Sequence, residues 1–420
     1  IDGITDAVIE MEDAGNLRDQ VQHKSLVDKW RRLADAREAD LRKLITVDEV
    51  ANLNSGKQLN EFFAKLLPDD ILREWPRTEK TGMLSTANKD LEVMAGMFGD
   101  NPMGDALRLL SERSTLNKYI SSFGDGLINQ AKMHKDGRVR ARYNIGAAIT
   151  CRFSSSGPNL QQIPRDRDFF GERLSIRTGF IAPTGRKLVS YDYSGIELRV
   201  LALVSGDEQL LEDMVNGDVH SEVAKYVVGR DIDRKVTADK ELRQSMKGVS
   251  FGIVYGTSAI GLAGRNGWSL PYAQEMIDFW ASRYPDAFAL RFAAQNEANA
   301  TEYLRMIDGG AIYMGKRPSI TRCANYPVQR AALSVMAEAI QEHEISMRDL
   351  RDRNPDRFAY MISTIHDALI DEVDDALAME AQAIMKRDME VGFSKVFPGA
   401  STARLVEGGI GQSWGTLEEN

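Results

Sequence analysis

Ser190-Tyr191-Asp192-Tyr193-Ser194-Gly195-Ile196-Glu197-Leu198-Arg199 is the stretch on which the reading of this chain turns. Residues 188–191 form a short apolar strand that delivers Asp192 at its end, with Glu197 and Arg199 close behind. A carboxylate leaving a strand is rigidly placed, which suits a ligand for a hard cation. Alone the pattern is weak, because an Asp at a strand end more often serves a turn or a cap.

Two other stretches add chemistry. Arg243, Lys247, Phe251 and Tyr255 recur every four residues and are followed by Gly256. Each step advances about 40° past a full helical turn, so the four side chains share one face. Cations on such a face can hold a triphosphate and aromatics can stack on bases. An amphipathic helix with core aromatics accounts for the same spacing. Further on, residues 358–365 and 369–373 read as two strands of a hairpin with His366-Asp367 at its tip. A satisfied turn pair is the plain alternative there.

The rest of the chain sets bounds. It has 420 residues, enough for two or three domains or subdomains. Hydrophobic residues at 43% and charged residues at 27% are ordinary for a globular protein. No run of 18 apolar residues occurs, so no membrane span is expected. Ile1-Asp2-Gly3-Ile4 has neither a basic nor an apolar signal region, so no signal peptide is expected, and the two cysteines make a reducing, cytoplasmic setting the expectation. Cys151 and Cys323 are too few for a disulfide framework or a four-cysteine zinc site. Lys plus Arg at 53 against Asp plus Glu at 62 gives a net charge of −9, which leaves room for a local basic cleft.

The pattern predicts a mostly helical region over residues 1–130, with helices over 10–21 and 24–43 and a start at Asn54-Ser55. Residues 76–88 read as a loop. Residues 138–142 alternate, so a strand would put Arg138, Arg140 and Arg142 on one face; a solvated strand edge is an equal reading. Residues 206–315 read as helical, with one long helix over 239–263. Gly310 to Lys316 imitates a P-loop, but Arg317 stands where a magnesium-binding Ser or Thr is needed, and no strand is expected before it.

Together these motifs resemble family A DNA polymerases, the DNA polymerase I family of bacteria and many phages. Asp192 to Arg199 is similar to motif A, the Arg243–Gly256 series to motif B, and His366-Asp367 to motif C. Arg152-Phe153-Ser154-Ser155, residues 158–164, Asn325 to Gln329 and Gly409 to Trp414 resemble further segments of the family. The resemblance implies an α+β, right-hand polymerase fold with thumb, palm (an antiparallel sheet) and helical fingers. Residues 1–137 would be the thumb, 138–205 and 319–420 the palm, and 206–318 the fingers. It implies a DNA-templated DNA polymerase that extends a primer with dNTPs and releases pyrophosphate, with no proofreading exonuclease in this chain. Asp192 and Asp367 would be the catalytic carboxylates and, with the Tyr193 carbonyl, would hold two Mg²⁺ ions. Glu197, His220, Arg243, Lys247, Phe251 and Tyr255 would bind the dNTP. Arg152, Asn159, Gln161, Arg199, Asn325, Gln329 and His366 would meet primer–template DNA. A monomer is expected, with replication accessory proteins as further candidate partners.

Three positions depart from the family pattern. Gly195 replaces a usual Gln, Ala368 replaces the usual Glu of motif C, and Arg322 lies one residue out of place. Asp371 and Glu372 are the acidic residues near Ala368 in sequence. At ~3.3 Å per strand residue both lie too far from Asp367 to share an ion with it, so no local substitute is expected. A single-subunit RNA polymerase is the nearest rival. It carries a small residue where this chain has Glu197, and a different motif B pattern at Phe251. A catalytically dead primer–template binding module is the rival from another class.

Overall fold

The computed structural model describes residues 2–44, 50–78, 80–146, 149–150, 152–164, 167–169 and 172–419. Cys151 lies outside the described residues. The architecture is α+β and mostly helical, and a single five-stranded antiparallel sheet organises the site.

The N-terminal region is helical, as its periodicity predicts, but its breaks fall elsewhere. The first helix, Asp2–Ala14, ends at Gly15, and the second, Gln20–Leu44, starts earlier than the sequence suggests. Ser55 caps the helix Gly56–Leu66 by accepting from the Gln58 N–H, which satisfies one of the donors left open in a first turn. Leu59, Phe63, Trp75, Leu91, Met94 and Leu107 belong to a hydrophobic cluster of their own, separate from the main core.

Residues 138–142 do not form one strand. Arg138–Val139 and Arg142–Asn144 are short separate strands. Arg138 is spent on the Gly15 carbonyl and on Glu372, and Arg140 on the Asp13 carbonyl and Asp136. The face of three arginines does not exist.

The sheet runs in the order Ala359–Ile365, Ala368–Asp374, Arg186–Tyr193, Val406–Gly411, Glu418–Glu419. Its central strand carries the Asp192 motif. The helices Ile320–Arg353 and Ala378–Val396 pack together, and the second of them covers one face of that strand. There Tyr191 accepts from Gln382, and the Tyr193 hydroxyl donates to the Met389 carbonyl at 2.6 Å. Val189, Tyr191 and Tyr193 of the central strand are thus committed to the core, and Asp192 points the other way.

Gly408 fixes how closely the fourth strand approaches the third. A Cβ there would lie 2.0 Å from the Ser190 carbonyl oxygen and 2.6 Å from Tyr191 Cα, so only glycine fits.

The helix expected over 239–263 is in fact two, Thr237–Val254 and Ala259–Asn266. Tyr255 is the C-cap and Gly256 follows at φ +74°, a left-handed conformation that ends the helix. Residues 206–315 also contain a hairpin, Tyr303–Arg305 with Ala311–Tyr313. The P-loop imitation lies on its second strand and the turn after it, and no helix begins at Lys316.

Candidate active site

Register builds the site. Ala368 lies directly opposite Asp192 on the neighbouring strand, and the Tyr193 N–H donates to the Asp367 carbonyl at 3.1 Å. Two carboxylates 175 positions apart in the chain are therefore neighbours at one end of the sheet. The hairpin is as tight as the sequence implies: Ile365 pairs with Ala368, and His366 takes φ +58° at the exposed tip. Both aspartates are partly exposed and line a cavity of about 600 Å³.

The opposite wall of that cavity is cationic. Arg243 and Lys247 project into it from the helix Thr237–Val254, together with Phe251. Arg243 donates from Nε to Asp218 Oδ2 at 2.5 Å. Asp218 also caps the helix Val219–Val228 by accepting from the His220 and Ser221 N–H groups. Burial pushes its carboxyl up, but the guanidinium of Arg243 outweighs that and holds it below the usual range. Lys247 is half-buried and has no ion-pair partner among the described residues.

His220 is 8% exposed, and its Nδ1 has no hydrogen-bond partner among the described residues. Burial pushes its pKa down to about 4, with Arg243 and Lys247 adding to the effect against the pull of Asp218. It enters the cavity as a neutral imidazole, able to donate to a phosphate but not to neutralise one. The Phe251 ring stands 5.9 Å from both the His220 and the Tyr255 rings, so the three aromatics form one tilted row.

Glu197 lies in the first turn of the helix Ile196–Ser205, and Arg152 donates to its Oε1. The sequence gives no sign of this pair, which spans 45 positions. Gly195, where the family usually has Gln, takes φ +62° and caps that helix.

The remaining candidates divide. Asn159 accepts from the Ser155 hydroxyl at 3.0 Å and so faces its own loop. Gln161 is 8% exposed. Asn325 and Gln329 are half-buried on the helix Ile320–Arg353, and Asn325 Oδ1 has no partner among the described residues.

Arg199 corrects the sequence reading. It is fully buried, and its two terminal nitrogens donate to the Ser401 and Ala403 carbonyls at 2.9 Å each. It ties motif A to the loop before the fourth strand and presents nothing to a primer. The resemblance implies a primer contact for Arg199, yet here it is a buried brace.

The sequence matches DNA polymerase family A over residues 22–416. This chain belongs to DNA polymerase family A. It is 34% identical over 367 residues to the thermostable DNA polymerase I of Thermus filiformis, which covers 86% of this chain and 41% of that protein. It is 31% identical over 376 residues to DNA polymerase I of Pseudomonas aeruginosa, covering 86% and 38%. The chain thus spans about two-fifths of the curated relatives it matches. Among solved structures it is similar to the POL domain of Pol1 from M. smegmatis in complex with DNA primer-template and dNTP. The TM-score is 0.81 at 26% identity, over 99% of this chain and 70% of that one.

Within the family frame, two residues that sequence reasoning missed stand out. Asp218 reaches Arg243 from a separate helix, and Glu407 lines the cavity from the fourth strand. No helix among the described residues is long and apolar enough to cross a membrane.

Proposed function

We propose that this chain extends a primer on a DNA template with dNTPs by nucleotidyl transfer, releasing pyrophosphate. The observation that carries the reading is the cavity itself: Asp192 and Asp367 at the end of the sheet, facing Arg243, Lys247 and His220 across it. A nucleotide triphosphate needs this polarity, with oxygen donors at the reacting phosphate and N–H donors along the leaving one. The M. smegmatis relative, solved with primer-template and dNTP, supports the substrate class.

The donor set fits magnesium. Asp192, Asp367 and the Tyr193 carbonyl are hard oxygen donors, and Mg²⁺ keeps several waters, so few protein ligands suffice. Two bound Mg²⁺ ions would supply activation of the primer 3′-hydroxyl and stabilisation of the leaving pyrophosphate. The protein's own share is placement. Arg243 exchanges Asp218 for a phosphate oxygen, Lys247 adds an unpaired charge, and neutral His220 donates one hydrogen bond. Phe251 and Tyr255 wall the nascent pair. Glu197 closes the space beside the sugar, where a 2′-hydroxyl would otherwise sit. Arg152, released from Glu197, Asn159, Gln161, Asn325, Gln329 and His366 form the primer–template side. They meet groove acceptors that every base pair presents, so pair shape is monitored without reading sequence.

In this reading residues 1–137 act as thumb, 138–205 with 319–420 as palm and 206–318 as fingers, and the chain acts as a monomer in the cytoplasm. Glu197 argues against an RNA polymerase, and retention of both aspartates with Arg243 and Lys247 argues against a dead binding module. A primer-extension gel with and without magnesium, using dNTPs or rNTPs, separates the three. Extension with dNTPs only supports the proposal, and no extension overturns it.

A further inference from the structure

We infer that Glu407 is the third carboxylate of the metal site, holding the water shell of the ions in place of the acidic side chain that Ala368 lacks. The inference rests on the polymerase reading and adds a positioning residue to it. Asp192 has two cross-strand partners, Ala368 on one side and Glu407 on the other. Residues directly opposite in an antiparallel sheet project on the same face, with Cβ atoms about 4.5–5.5 Å apart. Ala368 and Glu407 therefore flank Asp192 as mirror positions, one empty of charge and one carrying it.

The neighbours in sequence cannot do this. Asp371 is fully buried on the opposite face, bonded to His343 at 2.9 Å. Glu372 shares the Asp192 face but is fully buried under Arg138 and Arg186, each 2.7 Å from its Oε1. Glu407 differs on every count. It is exposed, it lines the same cavity as Asp192 and Asp367, and it has no hydrogen-bond or ion-pair partner among the described residues. Arg404, the nearby cation of that wall, donates to the Gly217 carbonyl at 2.7 Å.

The position of Glu407 is enforced. Gly408 allows its strand to press against Tyr191, and the Ser194 N–H donates to the Leu405 carbonyl at 2.8 Å. Arg199 holds the preceding loop through Ser401 and Ala403. The buried brace of motif A thus also fixes the strand that carries Glu407. That a ligand belongs in this cavity has independent support in His220, 92% buried by the complement of its 8% exposure, with an unpartnered Nδ1 at the same cavity.

Among the described residues no three acidic, histidine or cysteine side chains are close enough to hold one ion jointly. Glu407 therefore acts through water: its carboxylate accepts from waters that a magnesium ion on Asp192 retains. Such outer groups orient the first ligands, and their loss weakens metal affinity by about 10–100-fold.

The test uses the whole chain bound to a primer–template whose primer ends in a dideoxynucleotide, so that no chemistry follows. Mn²⁺ is titrated and its free fraction read by electron paramagnetic resonance. Glu407→Gln, which is isosteric and exposed, should weaken Mn²⁺ binding by about tenfold or more. Adding Ala368→Glu to that variant should restore affinity to within about threefold, because it fills the mirror position. Mn²⁺ affinity in Glu407→Gln within about twofold of wild type overturns the inference, as does failure of Ala368→Glu to rescue a weakened variant. A separate extension gel on the wild-type chain tests the polymerase reading, so the two failures show in different measurements.

Discussion

Arg243 donates from Nε to Asp218 Oδ2 at 2.5 Å, so the cation that faces the reacting end of the cavity already holds a carboxylate. In the proposed function a triphosphate takes Arg243 from Asp218, exchanging one charge-assisted bond for another. Arg243→Ala should raise the KM for dNTP by about tenfold to a hundredfold, the equivalent of about 1.5–3 kcal/mol for such a bond. Steady-state extension at varied dNTP measures it. A KM within about twofold of wild type would place the triphosphate elsewhere.

Glu197 is paired with Arg152, and both line the cavity. In the proposed function, Glu197 as sugar gate is thereby tied to a residue that DNA would engage. Glu197→Ala should lower the ratio of kcat/KM for dNTP over rNTP by about a hundredfold or more, since specificity is a difference in transition-state binding. An unchanged ratio would remove Glu197 from the gate.

Phe251 sits between the His220 and Tyr255 rings, at 5.9 Å from each. A phenylalanine here offers no hydroxyl to a sugar that lacks its own. Phe251→Tyr should raise dideoxynucleotide incorporation by at least about tenfold while normal extension changes little. Termination at equal dideoxynucleotide concentration is the readout, and no change would mean that the ring faces away from the sugar.

How much of this was legible in the sequence depends on the range of the interaction. The hairpin around His366-Asp367 and the strand ending at Asp192 follow from short apolar runs, a local property, and both are found within a residue or two of expectation. The right ending of the motif B helix was not legible, because periodicity continues through Tyr255 while Gly256 at φ +74° interrupts the backbone. Arg199 was misread for a related reason: a helix face says nothing about which carbonyls a distant loop will bring. Glu407 was invisible altogether. Its neighbour relation to Asp192 is a matter of register between strands more than two hundred positions apart, and strand register is set by tertiary packing.

Behind the sheet, His343 is fully buried between Asp371 and Asp388, at 2.9 Å and 3.2 Å. Burial opposes the imidazolium, but the two carboxylates, Asp371 foremost, overcome it and push its pKa up to about 9. A folded-state value above the unfolded 6.5 means that the stabilisation is fully present below about pH 6.5. It is lost as pH rises through about 9. Chemical denaturation at pH 6.5 and at pH 9.5 should show this loss, and His343→Gln should flatten the difference while being less stable at both. Equal pH dependence in wild type and variant would mean that His343 is neutral in the folded protein.

In the proposed function Asp192 and Asp367, brought together by the Tyr193 to Asp367 backbone bond, are the carboxylates on which extension depends. The direct measurement is single-turnover primer extension by Asp192→Ala and by Asp367→Ala, alongside binding of the same primer–template by fluorescence anisotropy. Each variant should lose extension by about a thousandfold or more while its DNA affinity stays within about threefold of wild type. Extension within about tenfold of wild type in either variant would contradict it.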